Sequence, residues 1–161
     1  MAFGVASWAA LRAARRKAVP SDPAVTTWHW VGALQFLYVL EIWLSTRHLA
    51  HDMADAVLRA AGLYADRSSI QIMLLVITVL TGMVAGIAMW QSHWWSRQTN
   101  VHAKLAWVCT VAILMLFLIE TISLHAIDRV LYRPVGPVLF IAYAWVANAI
   151  AVTWLARRPA A

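Results

Sequence analysis

Histidine and carboxylate side chains, which can hold a metal ion or carry a proton, are concentrated in two parts of this sequence. The set comprises Glu41, His48, His51, Asp52, Asp55, Glu120, His125 and Asp128. Acidic groups are costly in or near hydrocarbon, so their concentration beside histidines predicts a functional site. Imidazole and carboxylate are ligands for iron, zinc and copper. We therefore predict a metal ion held by His48, His51, Asp52, His125 and Asp128, with Glu41 and Glu120 as buried acids.

Helical spacing predicts that part of this set shares one face. Five polar residues of the first helix lie within about 40° on either side of one line parallel to the helix axis, when the angle is measured around that axis. They are Glu41, Ser45, His48, Asp52 and Asp55. No Gly or Pro occurs from Ala33 to Ala61, so this helix is expected to run beyond the membrane and end at Gly62. On a later helix His125 and Asp128 share a face, whereas Glu120 points about 140° away from His125.

The composition is that of an integral membrane protein. The chain is 63% hydrophobic and 12% charged, with a mean hydropathy of +0.69, against about 45–50% and 25% in soluble domains. Membrane spans need roughly 17–25 mostly apolar residues, and four stretches qualify, at 27–46, 70–94, 101–124 and 135–155. The predicted fold is all-α, with residues 23–161 forming a four-helix transmembrane bundle.

The basic residues predict the topology. Eight Lys and Arg residues lie in the N-terminal segment, in the loop between the second and third spans and at the C-terminus, against five at the other end. The positive-inside rule then places both termini in the cytoplasm of a bacterial-type inner membrane and the histidine cluster at the periplasmic end. Residues 1–22 are expected to form a basic amphipathic helix on the cytoplasmic face or a disordered tail. The net charge of +6 therefore requires no nucleic acid partner.

Two patterns predict local packing. Gly82 and Gly86 form a GxxxG pair, which permits close approach of a neighbouring helix. The run from Leu131 to Pro137 contains two Pro and a Gly and is expected to form a turn.

The function predicted first is a metal site at the outer, periplasmic end of the bundle with a redox role, and three alternatives stay open. One is an accessory or assembly subunit, bound to other membrane subunits or to a second copy, in which arginines pair with the acids. Another is a b-type haem, with Arg47, Arg129 and Arg133 near its propionates. A third is proton or cation transport through Glu41. His29, His93 and His102 form a second histidine layer at the inner end, about 28 to 34 Å away. No catalytic signature is present, so the sequence does not decide whether the protein is an enzyme.

Overall fold

The structure is a computed structural model that describes residues 1–16, 22–97, 100–122 and 125–158, leaving aside the side chains of Arg47 and of residues 125–127. The described chain is helical apart from short connections and one small hairpin. Its helices are α1 (Ala2–Arg15), α2 (Pro23–Leu44), α3 (Thr46–Ala60), α4 (Arg67–Gln91), α5 (His93–Arg97), α6 (Val101–Ile122), α7 (His125–Leu131) and α8 (Phe140–Arg157). A 3₁₀ turn at Tyr64–Asp66 precedes α4, and the hairpin strands are β1 (Pro134–Val135) and β2 (Val138–Leu139).

Three helical segments of the described chain are long and apolar enough to cross a membrane. They are Tyr64–Gln91, Val101–Ile122 and Phe140–Arg157, which correspond to the predicted spans at 70–94, 101–124 and 135–155. The chain is therefore treated as a membrane protein. Helix α2 matches α6 in length, at 22 residues, but carries polar side chains such as His29 and Gln35 and is not one of the three.

Helix α6 is the central element of the fold. It packs against α2, α3, α4 and α8, and α1 completes the core by packing on α2 and α8. Val31, Tyr38, Ile113, Phe117 and Val152 are buried where these helices meet. Helix α4 faces α6 at Gly82, where an added Cβ would lie 2.6 Å from Met115 Cε. A Cβ added at Gly86 would have no neighbouring atom within 4 Å. The atoms near Gly82 belong to the end of the flexible Met115 side chain, so the close helix approach predicted for the GxxxG pair stays a prediction.

Helix α1 differs from the expected surface helix or disordered tail. It lies antiparallel to α2, because Phe3 packs on the Tyr38 ring while Ser7 Oγ donates a hydrogen bond to the Gly32 carbonyl oxygen. One face consists of small side chains, and these are buried: Ala6, Ser7, Ala9, Ala10, Ala13 and Ala14. Small side chains allow helices to approach closely, so this face favours packing on other helices over lying on a lipid surface.

The single long helix predicted from Ala33 to Gly62 is wrong, because the chain leaves the helical conformation at Ser45. Ser45 has φ 51° and ψ 38°, the left-handed region, and separates α2 from α3. The predicted end at Gly62 is confirmed. Gly62 has φ 71°, its amide donates to the Arg59 carbonyl, and the Leu63 amide donates to the Leu58 carbonyl. This pair of bonds is the Schellman motif that commonly closes a helix.

The turn predicted after Leu131 is confirmed as the connection between β1 and β2, with Gly136 at φ 62°. The hairpin delays the last long helix, which begins at Phe140 and not near residue 135. Tyr143 Oη donates to the Val135 carbonyl oxygen at 2.8 Å, so the hairpin is tied to the first turn of α8.

Candidate functional site

The bend at Ser45 brings α3 back against α6 beside the end of α2. The Ser45 amide donates to the Glu41 carbonyl oxygen at 2.7 Å, which closes the last turn of α2. The next residue, Thr46, donates a side-chain hydrogen bond to the Glu41 carboxylate. The bend therefore joins the carboxylate of α2 to the first residue of α3.

A cavity of about 530 Å³ lies next to this bend, between α2, α3 and α6. Most of its lining is apolar. The lining residues are Leu34, Leu37, Tyr38, Leu40, Glu41, Leu44, Thr46, Ala50, Leu114, Phe117, Leu118 and Thr121. Leu37 is 53% exposed and Leu118 44% exposed, so the cavity wall is continuous with the outer surface of the helices.

Glu41, which the sequence predicts to be buried, is only half-buried in the structure, and it is the carboxylate in this lining. The two other hydroxyls of the cavity wall donate to backbone carbonyls: Tyr38 Oη to Thr110 at 2.6 Å and Thr121 Oγ1 to Phe117 at 2.8 Å. These bonds engage both hydroxyl hydrogens within the protein. The polar end of the cavity is thus formed by Glu41 and Thr46. Along the axis of α2, Glu41 lies about 5 Å before the last residue of the helix.

Glu120, the second predicted buried acid, lies outside this cavity. It is 4% exposed and accepts a hydrogen bond from the Tyr132 hydroxyl. Tyr132 follows α7, so the bond ties the end of α6 to the segment before the hairpin. This arrangement gives Glu120 a structural partner.

Asp55 pairs with an arginine. Its Oδ2 lies 3.3 Å from Arg67 Nη1, which also donates to Tyr64 Oη at 2.9 Å. Arg59 donates to the same hydroxyl at 3.1 Å, with its guanidinium carbon 4.2 Å from the Tyr64 ring centre. The end of α3 is thereby fixed to the start of α4. This pairing is the kind that the accessory-subunit hypothesis predicts.

The predicted metal ligands lie on two helices. His48, His51 and Asp52 are on α3 and Asp128 is on α7, while the His125 side chain lies outside the described residues. Among the side chains that are described, no group of three or more His, Cys, Asp or Glu is placed to hold a metal ion. The metal and haem hypotheses stay predictions, and the latter also involves Arg47, whose side chain is not described.

Sequence reasoning missed a buried polar network between α2, α6 and α8. Gln35 Nε2 donates to Thr110 Oγ1 at 3.1 Å and to Asn148 Oδ1 at 3.0 Å, and Asn148 Nδ2 donates to the Cys109 carbonyl at 2.6 Å. Gln35 is 0% exposed. Interhelical bonds of this type hold membrane helices together. An amide within the apolar run of α2 is the sequence signal from which it could have been found.

The chain has no match among protein-family models, curated proteins or solved structures.

Proposed function

We propose that this chain is a four-span helical membrane protein that binds a lipid-soluble molecule with a cationic or hydrogen-bond-donating headgroup, and that Glu41 receives this headgroup. The observation that supports the proposal is the apolar cavity with a carboxylate at its polar end. Ligand sites commonly enclose about 300–1,000 Å³ and are mostly apolar, with a few polar groups that orient the ligand. The cavity between α2, α3 and α6 has both properties.

Entry from the bilayer follows from the position of the cavity wall. Leu37, Leu40 and Leu118 line the cavity and are also exposed on the outer surface. In a bilayer these leucines face acyl chains, so a hydrophobic molecule reaches the cavity without crossing water. Helix α2 is taken as the fourth span because it packs along α6, a helix long and apolar enough to cross.

The headgroup is inferred from the chemistry of Glu41. An ionised carboxylate only accepts hydrogen bonds, and it offers about four acceptor positions, so a ligand donor can join Thr46 there. A carboxylate attracts a cationic or hydrogen-bond-donating headgroup, whereas it repels an anionic headgroup.

The test uses three probes with the same twelve-carbon chain: dodecylamine, dodecanol and dodecanoate. Each is titrated into protein reconstituted in nanodiscs, below the amount that disrupts the bilayer, and unfolding is followed through the ten tryptophans. We expect dodecylamine and dodecanol to raise the unfolding midpoint because a ligand of the folded state stabilises it. Dodecanoate should leave the midpoint unchanged.

The decisive variant is Glu41→Gln. Hydrogen bonds to charged groups contribute about 1.5–3 kcal/mol, so dodecylamine affinity should fall by about tenfold to a hundredfold while dodecanol still binds. Asp66→Asn, at an exposed acid outside the cavity, is the matched control and should bind dodecylamine as the parent does. Ala50→Phe adds a ring at the cavity wall and should weaken both probes. Equal dodecylamine affinity in Glu41→Gln and the parent, or no binding of either probe, would contradict the proposal.

A further inference from the structure

Helix α1 has a second face whose side chains differ completely from those of its buried face. At 100° per residue, Trp8, Arg12 and Arg15 lie within about 60° of one another. The centre of this group is about 180° from the centre of the buried alanine face. Trp8 is 56% exposed, and Arg12 and Arg15 are also exposed. A helix packed by its small residues therefore presents an aromatic ring and two guanidinium groups outward.

These outward side chains line an open cavity of about 390 Å³ at the surface, formed by Trp8, Leu11, Arg12 and Arg15. The Arg12 guanidinium carbon lies 5.0 Å from the centre of the Trp8 ring, within the range of a cation–π contact. The lining thus combines two cationic groups with an indole ring and one leucine. That combination suits a ligand with an anionic head beside an apolar body.

The position of the cavity is the headgroup level of the bundle. Because α1 is antiparallel to α2, Arg12 and Arg15 lie near the start of α2. Two further cation–tryptophan pairs occur at the start of α6 and the end of α8: Lys104 lies 5.1 Å from the Trp95 ring and Arg158 lies 4.2 Å from the Trp154 ring. Tryptophan is enriched where a bilayer meets water. This end of the bundle therefore carries the rings and cations of a membrane interface.

We propose that Trp8, Leu11, Arg12 and Arg15 hold an anionic phospholipid, with its phosphate on the two guanidinium groups and its acyl chains against Leu11 and the Trp8 ring. Arginine presents planar pairs of N–H donors that match phosphate oxygens. Charge complementarity selects this occupant, because anionic lipids populate the cytoplasmic leaflet and attract basic groups next to a membrane. The site is independent of the Glu41 cavity, so each proposal can fail without the other.

Native mass spectrometry of the protein released from nanodiscs measures this selectivity. Nanodiscs of equal phosphatidylglycerol and phosphatidylcholine content should release protein that retains phosphatidylglycerol. A basic residue near an anionic surface contributes about fivefold in affinity, so Arg12→Gln/Arg15→Gln should weaken retention by about 25-fold. Arg129→Gln/Arg133→Gln removes the same charge from exposed positions outside the cavity and should retain the lipid as the parent does.

A variant that keeps the charge separates the site from general attraction. Arg12→Lys/Arg15→Lys preserves the net charge but lacks the planar donor pairs, so its retention should fall between those of the parent and the glutamine variant. Inorganic phosphate at millimolar concentration should not displace the lipid, because it lacks acyl chains. Equal retention of both lipids, equal losses in both double glutamine variants, or displacement by inorganic phosphate would overturn the proposal.

Discussion

Ser45 decides the shape of the candidate site at the scale of a single residue. It adopts φ 51° without being a glycine, and its side chain makes no capping hydrogen bond to α3. For L-amino acids the left-handed conformation costs roughly 1–2 kcal/mol, and this cost arises from the Cβ atom. The same bend places Thr46 beside Glu41, where the two side chains form a hydrogen bond. The strained residue therefore lies next to the polar end of the cavity.

Ser45→Gly should therefore stabilise the protein. Removing the Cβ relieves the strain, and the greater freedom of glycine in the unfolded chain offsets part of the gain, which leaves about 0.5–1 kcal/mol. Ser45→Ala is the control, since it keeps the Cβ and removes only the hydroxyl. Thermal unfolding in detergent should show a higher midpoint for the glycine variant alone. Identical midpoints for the two variants would mean that Ser45 is not strained in the folded protein.

Ser45 also explains why the polar stripe could not be read from spacing. A helical wheel assumes an unbroken helix, and nothing between Ala33 and Ala61 resembles a usual breaker. The break turns His48, Asp52 and Asp55 about a new axis, and Asp55 pairs with Arg67. Residue spacing predicts which side chains share a face only within one continuous helix, and the stripe from Glu41 to Asp55 crosses the bend at Ser45.

At the scale of elements, prediction succeeded where a helix is apolar throughout. Helix α6 begins at residue 101 as predicted and is helical as far as Ile122, after which residues 123–124 lie outside the described part of the chain. The placement of α1 was missed, because alanine contributes little hydropathy and the basic residues suggest a surface helix. What positions α1 is the fit of its small face to α2 and α8, which depends on the partners. The start of α8 was missed because a two-residue strand has no distinct hydrophobic period.

The packing of α1 can be tested by enlarging one residue on each of its faces. Ala10 is 0% exposed, so Ala10→Leu should force α1 away from its neighbours at a cost of about 1–3 kcal/mol. Val5 is 49% exposed, and Val5→Leu should change stability by less than about 0.5 kcal/mol. The unfolding midpoints of both variants check the assignment. Equal, small effects would indicate that α1 does not pack in the core.

The whole molecule is uneven in how tightly its helices are held. Helices α1, α2, α6 and α8 share the core, whereas α4 packs chiefly on α6 and exposes most of its length. The buried network of Gln35, Thr110 and Asn148 joins three helices of the core. A ligand entering between α2 and α6 would therefore meet helices that buried hydrogen bonds hold to one another. These relations between helices come from side-chain fit, which no single stretch of sequence contains.

The orientation of the molecule is the last prediction. The ends of α1 and α8 and the start of α6 should face the cytoplasm because they carry most of the basic residues, including Arg16, Lys104 and Arg157. Cys109→Ser removes the native thiol, and Asp66→Cys or Arg97→Cys then supplies one exposed thiol at each end.

A membrane-impermeant maleimide applied to intact spheroplasts should label the cysteine at 66 and leave the one at 97 unlabelled until the cells are opened. The α4 segment joins these positions and is long enough to separate them by the full membrane thickness, at about 1.5 Å per residue. Labelling of 97 alone would invert the molecule and place Arg12 and Arg15 in the outer leaflet. Labelling of both in intact cells would mean that α4 does not cross, because a single crossing cannot leave both of its ends outside.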